Sequence, residues 1–135
     1  MTGIYSLSEL PIGIWQPDAR VKVYSILDSP YFRALHENSR QPYDSYTLRL
    51  DLLGIVHSKL DWSSFLELRN NIAISGWKPE KGPAIFLSNE NGQKDGHHRL
   101  AILAHMFGVD AQVELQEGRL IFSEPTAIHF SEPRR

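Results

Sequence analysis

Asp95-Gly96-His97-His98-Arg99 gathers groups suited to anion binding and proton transfer into one short stretch of chain. The apolar run Leu100-Ala101-Ile102-Leu103-Ala104 follows directly, and Phe107-Gly108 is a natural helix end, so the stretch lies where a helix begins. A glycine at that mouth lets a ligand approach the backbone, because no Cβ stands in the way. The first N–H groups of a helix lack intrahelical partners and carry partial positive charge, which suits phosphate or carboxylate. Arg99, one turn in, adds a permanently charged, fork-shaped donor. His97 and His98 add imidazole donors that titrate near neutral pH, and Lys94 adds a further cation. Asp95 supplies the opposite chemistry, since a carboxylate there can hold Mg²⁺ or accept a proton. Each residue also has a plainer reading: Asp95 as a helix cap, Gly96 as a turn, Lys94, Arg99 and the histidines as solvated surface. His97, His98 and His105 make a poor zinc set. On a helix His98 and His105 sit about 10 Å apart, adjacent histidines diverge, and the chain has no cysteine.

Several elements must position this stretch. Ala84-Ile85-Phe86-Leu87 has the fully apolar pattern of a buried strand, and Asn89-Glu90-Asn91-Gly92 is a turn signal. Strand, turn and helix therefore meet at Asp95. Upstream, Asp61 can cap a helix running to Ile74, in which Trp62, Phe65, Leu66, Arg69 and Ile72 recur near helical spacing and Gly76 is the stop. Tyr43 to Leu53 reads as a helix stopped by Gly54. Ser29-Pro30 is a helix start, with serine as cap and proline at the first helical position. Val21 to Tyr24 can be a strand, and Ile4 to Pro11 a short strand or extended arm. Downstream, Gln112-Val113-Glu114-Leu115 and Arg119-Leu120-Ile121-Phe122 flank Gln116-Glu117-Gly118 as a β-hairpin. The expectation is one α+β domain over residues 1–135, a small mixed sheet with helices packed on it. Residues 1–42 are expected to be irregular, 43–122 the core and 123–135 a tail. Tyr31, Phe32, Tyr43, Tyr46 and Trp62 fit either core or a partner surface, core being the commoner fate of such a cluster.

Composition narrows the function classes. With 135 residues and 41% hydrophobic residues the chain can bury a real core. A net charge of −2 and a pI near 6.3 argue against a partner made of duplex phosphate. The absence of cysteine excludes disulfides, thiolate metal sites and cysteine nucleophiles and suits a reducing compartment. No apolar run approaches the roughly 18–20 residues that span a bilayer, and Met1 to Leu10 has no signal-peptide pattern, so a cytoplasmic protein without a membrane partner is expected.

Leu68-Arg69-Asn70-Asn71-Ile72-Ala73-Ile74-Ser75-Gly76-Trp77-Lys78-Pro79, the Ala84–Leu87 run, the Asp95–Ala101 box and Phe107-Gly108 together resemble the ParB/sulfiredoxin superfamily. The likeness covers roughly residues 60–115. It implies a nucleotide (ATP or ADP, with CTP a further option) whose phosphates sit on Gly96, His97, His98 and Arg99, with Mg²⁺ at Asp95. Sulfiredoxin chemistry needs a cysteine where His97 stands. A ParB clamp needs a reader domain beyond Gly108, where a hairpin and tail are read instead. A free-serine kinase of the superfamily carries the same box and a catalytic glutamate after an upstream histidine. Here Val56-His57-Ser58-Lys59 keeps the histidine and lacks the glutamate, although Asp51 or Glu67 could approach from the same side.

Two function classes follow from this reading. One is a small phosphotransferase acting on a hydroxyl of a polar metabolite, with Asp95, His57 and His98 catalytic and Lys94, Gly96, His97, His98 and Arg99 holding the nucleotide. The other is a non-catalytic nucleotide-binding or protein-interaction module with the same cradle. A DNA-associated ParB-like protein is a third option, disfavoured by charge. His57 equally suits an ordinary loop position.

Overall fold

A computed structural model of the chain describes residues 3–57, 60–75, 87–88, 92–93, 97–116 and 119–121. In chain order these form β1 (Gly3–Ser6), β2 (Ile12–Trp15), β3 (Val21–Tyr24), α1 (Pro30–Glu37), α2 (Gln41–Leu53), α3 (Trp62–Ser75), β4 (Leu87–Ser88), β5 (Gly92–Gln93), α4 (His97–Phe107), β6 (Gln112–Gln116) and β7 (Arg119–Ile121). Short 3₁₀ turns at Leu7–Glu9 and Ile26–Asp28 join the early elements. The described residues thus combine helices with two small sheets, which agrees with the α+β class and corrects the single small sheet expected, because β1, β6 and β7 pair apart from β2–β5.

One sheet has the order β1-β6-β7 and the other β3-β2-β5-β4. In the first, β1 runs antiparallel to β6, with Gly3 opposite Leu115 and Ser6 opposite Gln112. In the second, β2 pairs antiparallel with β3, Ile12 facing Tyr24, and parallel with β5 through Ile12 and Gln93. Strands from opposite ends of the sequence therefore lie side by side in both sheets.

Residues 1–42 were expected to be irregular, and this is corrected: residues 3–37 hold three strands and a helix, and they supply Leu7, Leu10, Ile12 and Ile26 to the core. The prolines fall between these short elements, so they punctuate structure without preventing it. The single strand expected from Ile4 onward ends at Ser6, where the 3₁₀ turn begins. Tyr31, Phe32, Tyr43 and Tyr46 are all buried, which settles them as core.

The helices carry the stop and start signals their residues dictate. Ser29 caps α1, its side chain accepting from the Phe32 N–H, and Pro30 opens the helix. Asp61 Oδ1 accepts the N–H of Ser64 at 2.8 Å at the head of α3. Gly54 ends α2 in the left-handed region at φ 71°, its N–H bonded to the Leu50 and Asp51 carbonyls. A Cβ at Gly54 would meet nothing within 4 Å, so Gly54→Ala isolates backbone strain. Unfolding by urea should show a loss of about 1–2 kcal/mol, and Gly54→Asn a smaller one. α4 is enclosed on all sides through its middle turn, where Leu100, Ala101, Ile102 and Leu103 are all fully buried, while His105 near its end is exposed. Among the described residues no helix is long and apolar enough to cross a membrane.

Candidate functional site

Three helices converge on the first turn of α4: α1 brings Tyr31, α2 brings Tyr43 and α3 brings Phe65, each in ring contact with His98. The sequence places Tyr43 and Tyr46 near one helical turn apart, so both rings can turn inward from α2.

His98 is the hub. Its ring stacks on Tyr31, with centroids 4.3 Å apart and planes 18° from parallel. Phe65 meets the same ring edge-on at 5.2 Å. Its Nε2 lies 3.1 Å from the Tyr43 hydroxyl. That hydroxyl also donates to the Leu60 carbonyl, a short hydrogen bond. A phenol has one proton, so with that proton on Leu60 the second contact must run from His98 Nε2–H to the Tyr43 oxygen. Nδ1 then carries the lone pair. Burial, with the neighbouring charges of His97 and His57 adding to it, pushes the His98 pKa down to about 4. At neutral pH only about one His98 in a thousand is charged. A neutral imidazole with its hydrogen on Nε2 has no donor to offer a phosphate from Nδ1. His98 anchors the first turn of α4 through Tyr31 and Tyr43.

His97 and Arg99 flank it on either side. The His97 ring meets Tyr31 edge-on at 6.2 Å. Arg99 is half-buried, and burial lowers its pKa from the usual guanidinium value. An arginine keeps its charge regardless, so it is a partly desolvated cation within the first turn of a helix. Tyr31 and Tyr43 are pushed up, by burial first of all, and stay protonated. Neither phenol can act as a base.

His57 has a defined partner. Its Nε2 lies 2.8 Å from Asp51 Oδ1, and the imidazole is only 11% exposed while Asp51 is 58% exposed. Asp51 comes from the last turn of α2, and the left-handed residue Gly54 reverses the chain so that His57 returns to it. Of the two acids that could have approached His57, Asp51 is the one that does. A carboxylate on Nε2 selects the tautomer with its hydrogen there.

Lys94, Asp95 and Gly96 lie outside the described residues, as do Ala84, Ile85 and Phe86 of the expected strand, the turn at Asn89 to Asn91, Phe122 of the expected hairpin and the tail, residues 123–135. Of the expected site the structure describes His57, held by Asp51, and His97, His98 and Arg99, which share the first turn of α4. Sequence reasoning missed Tyr31 and Tyr43 as the partners of His98. Their only signal was aromatic type at inward-facing helical positions, which marks core as readily as a site. Comparison with protein-family models, with curated proteins and with solved structures gives no match.

Proposed function

We propose that the chain is a nucleotide-dependent phosphotransferase acting on a hydroxyl of a small polar metabolite, built on a ParB/sulfiredoxin-like domain. The Asp51–His57 pair carries this reading. A largely buried imidazole oriented by a carboxylate is the arrangement that takes a proton from an attacking hydroxyl. In this reading His57 receives that proton, and Asp51 stabilises the imidazolium that results. Arg99, His97 and the first N–H groups of α4 oppose the negative charge of the transferring group. His98 acts by position: clamped by Tyr31 and Tyr43, it fixes the backbone whose amides face the phosphates. Nucleotide would supply the phosphoryl group. Gly96 and Lys94 complete the cradle in this reading, and Asp95 would hold Mg²⁺. A half-buried guanidinium one turn into a helix suits such an anion.

A thermal-shift screen of millimolar ATP, ADP and CTP, with and without Mg²⁺, tests the reading, since a specific ligand raises apparent stability with the logarithm of its concentration over Kd. One nucleotide should stabilise the protein, and Arg99→Ala should remove that shift. His57→Ala should retain the shift and lose nucleotide consumption in the presence of a pool of hydroxylated metabolites. No shift from any nucleotide would overturn the proposal. A shift without transfer to any acceptor would reduce the chain to the non-catalytic nucleotide-binding module.

A further inference from the structure

A second concave site is lined from α2, β2, β3 and the start of α1. Gln41, Pro42, Ser45, Tyr46 and Arg49 share one face of α2. With Ile14 and Gln16 at the end of β2, Tyr24 at the end of β3, and Asp28, Pro30 and Arg33 around the start of α1, they line a cavity of about 420 Å³. That volume falls within the usual range for small-molecule sites. It shares no lining residue with His57, His98 or Arg99.

The polar groups here are fixed. Arg49 Nη1 donates to the Trp15 carbonyl at 2.9 Å, and the guanidinium carbon stands 5.8 Å from the Tyr46 ring centroid. Those two contacts immobilise the side chain and leave its other N–H groups outside that bond. Tyr46 accepts the Trp15 N–H at 3.1 Å, so its own hydroxyl hydrogen is not used there. Ser45 Oγ accepts from Gln41 Nε2 at 3.0 Å and likewise keeps its hydrogen for a further acceptor. Arg33 gives its Nε to Glu37 at 3.1 Å, and its terminal nitrogens lie beyond that pair. Donors therefore dominate the lining: two guanidinium groups and three hydroxyls, those of Tyr24, Ser45 and Tyr46, against one carboxylate, Asp28. Ile14, Tyr24, Pro30 and Pro42 supply an apolar wall.

We infer that this cavity binds a small organic anion, its carboxylate or phosphate monoester held by Arg49 and Arg33 and its carbon body against the apolar wall. Arginine forks match both anionic groups in the plane of the guanidinium, and an arginine already oriented by a carbonyl and a ring loses little freedom on binding. The inference is independent of the phosphotransferase reading.

Isotope-labelled full-length protein, titrated with benzoate, phenyl phosphate and inorganic phosphate and followed by NMR, tests it. Saturable shifts at Ser45, Tyr46 and the Arg49 side chain are expected with benzoate or phenyl phosphate, and whichever binds tighter identifies the anionic group. Arg49→Lys should weaken binding about tenfold, since it keeps the charge and loses the fork. Arg33→Ala, at a half-exposed position whose loss leaves the fold intact, should weaken it at least about threefold. Arg99→Ala should leave it unchanged. Shifts absent from the cavity residues, affinity indifferent to both Arg33 and Arg49, or binding lost only in Arg99→Ala would each overturn the assignment. Inorganic phosphate binding as tightly as phenyl phosphate would refute the role given to the apolar wall.

Discussion

Phe65→Ala is expected to destabilise the protein by about 3–5 kcal/mol, the usual cost of emptying a buried phenyl site. The residue is fully buried, stacked on Tyr43 at 5.0 Å and in ring contact with Tyr31 at 5.9 Å, Trp62 at 6.1 Å and His98 at 5.2 Å. Four rings from α1, α2, α3 and α4 thus depend on one side chain for their packing. None of them can fill the void without giving up its own contacts, because Tyr43 is held by Leu60 and His98 is held by Tyr43. A cavity that cannot collapse is the costly kind. Urea denaturation of the wild type, Phe65→Ala and Phe65→Leu gives the check, with the leucine variant losing distinctly less. A loss under about 1 kcal/mol for alanine would mean that the aromatic cluster is not closed around this position.

Acid should destabilise the protein through His98. In the folded chain its pKa is pushed down to about 4 by burial, whereas an exposed histidine titrates near the ordinary value of 6.5. Between these values the unfolded chain binds a proton that the folded chain refuses, so acid favours unfolding. The stability associated with the neutral ring is complete above pH 6.5, falls as pH drops through that value, and is fully lost below about 4. The whole difference amounts to about 3 kcal/mol. His98→Gln retains a donor toward the Tyr43 oxygen and cannot titrate. The stability gap between wild type and this variant should shift by that amount between pH 7 and pH 4, as read from urea midpoints. An NMR titration of the ring should find its midpoint well below 6; a midpoint at the ordinary value would contradict the burial and the stacking on Tyr31. The two predictions are coupled, because a void at Phe65 admits water beside His98 and should raise that midpoint.

Local chemistry explains which parts of the architecture could be read in advance. Ser29-Pro30, Gly54 and Gly108 act on their own helix ends, through a cap, a fixed φ or a left-handed residue, and need no distant partner. The β6–β7 hairpin is equally local. β2 was hidden because Ile12-Gly13-Ile14-Trp15 has glycine inside it and prolines on both flanks, and it becomes a strand only when β3 and β5 pair with it. The site divides in the same way. The approach of Asp51 to His57 spans six residues and one turn-forming glycine, so a nearby acid was foreseeable. The engagement of His98 spans 55 residues to Tyr43 on another helix, and nothing in its immediate neighbours records it. An adjacent pair such as His97-His98 must point in different directions, but only the tertiary packing decides which ring turns inward.

The pairing of β1 with β6, and of β2 with β5, bears on how the chain reaches its native state. Neither ladder can be completed during synthesis until the late strands have left the ribosome, and the early ones must wait with their backbone groups in water. Long-range closure of this kind slows folding in comparison with local hairpins and helices. While it waits, β1 is an unsatisfied edge that another chain could pair with. Expression at low temperature or with a chaperone should therefore raise the soluble yield more than a change to the surface would.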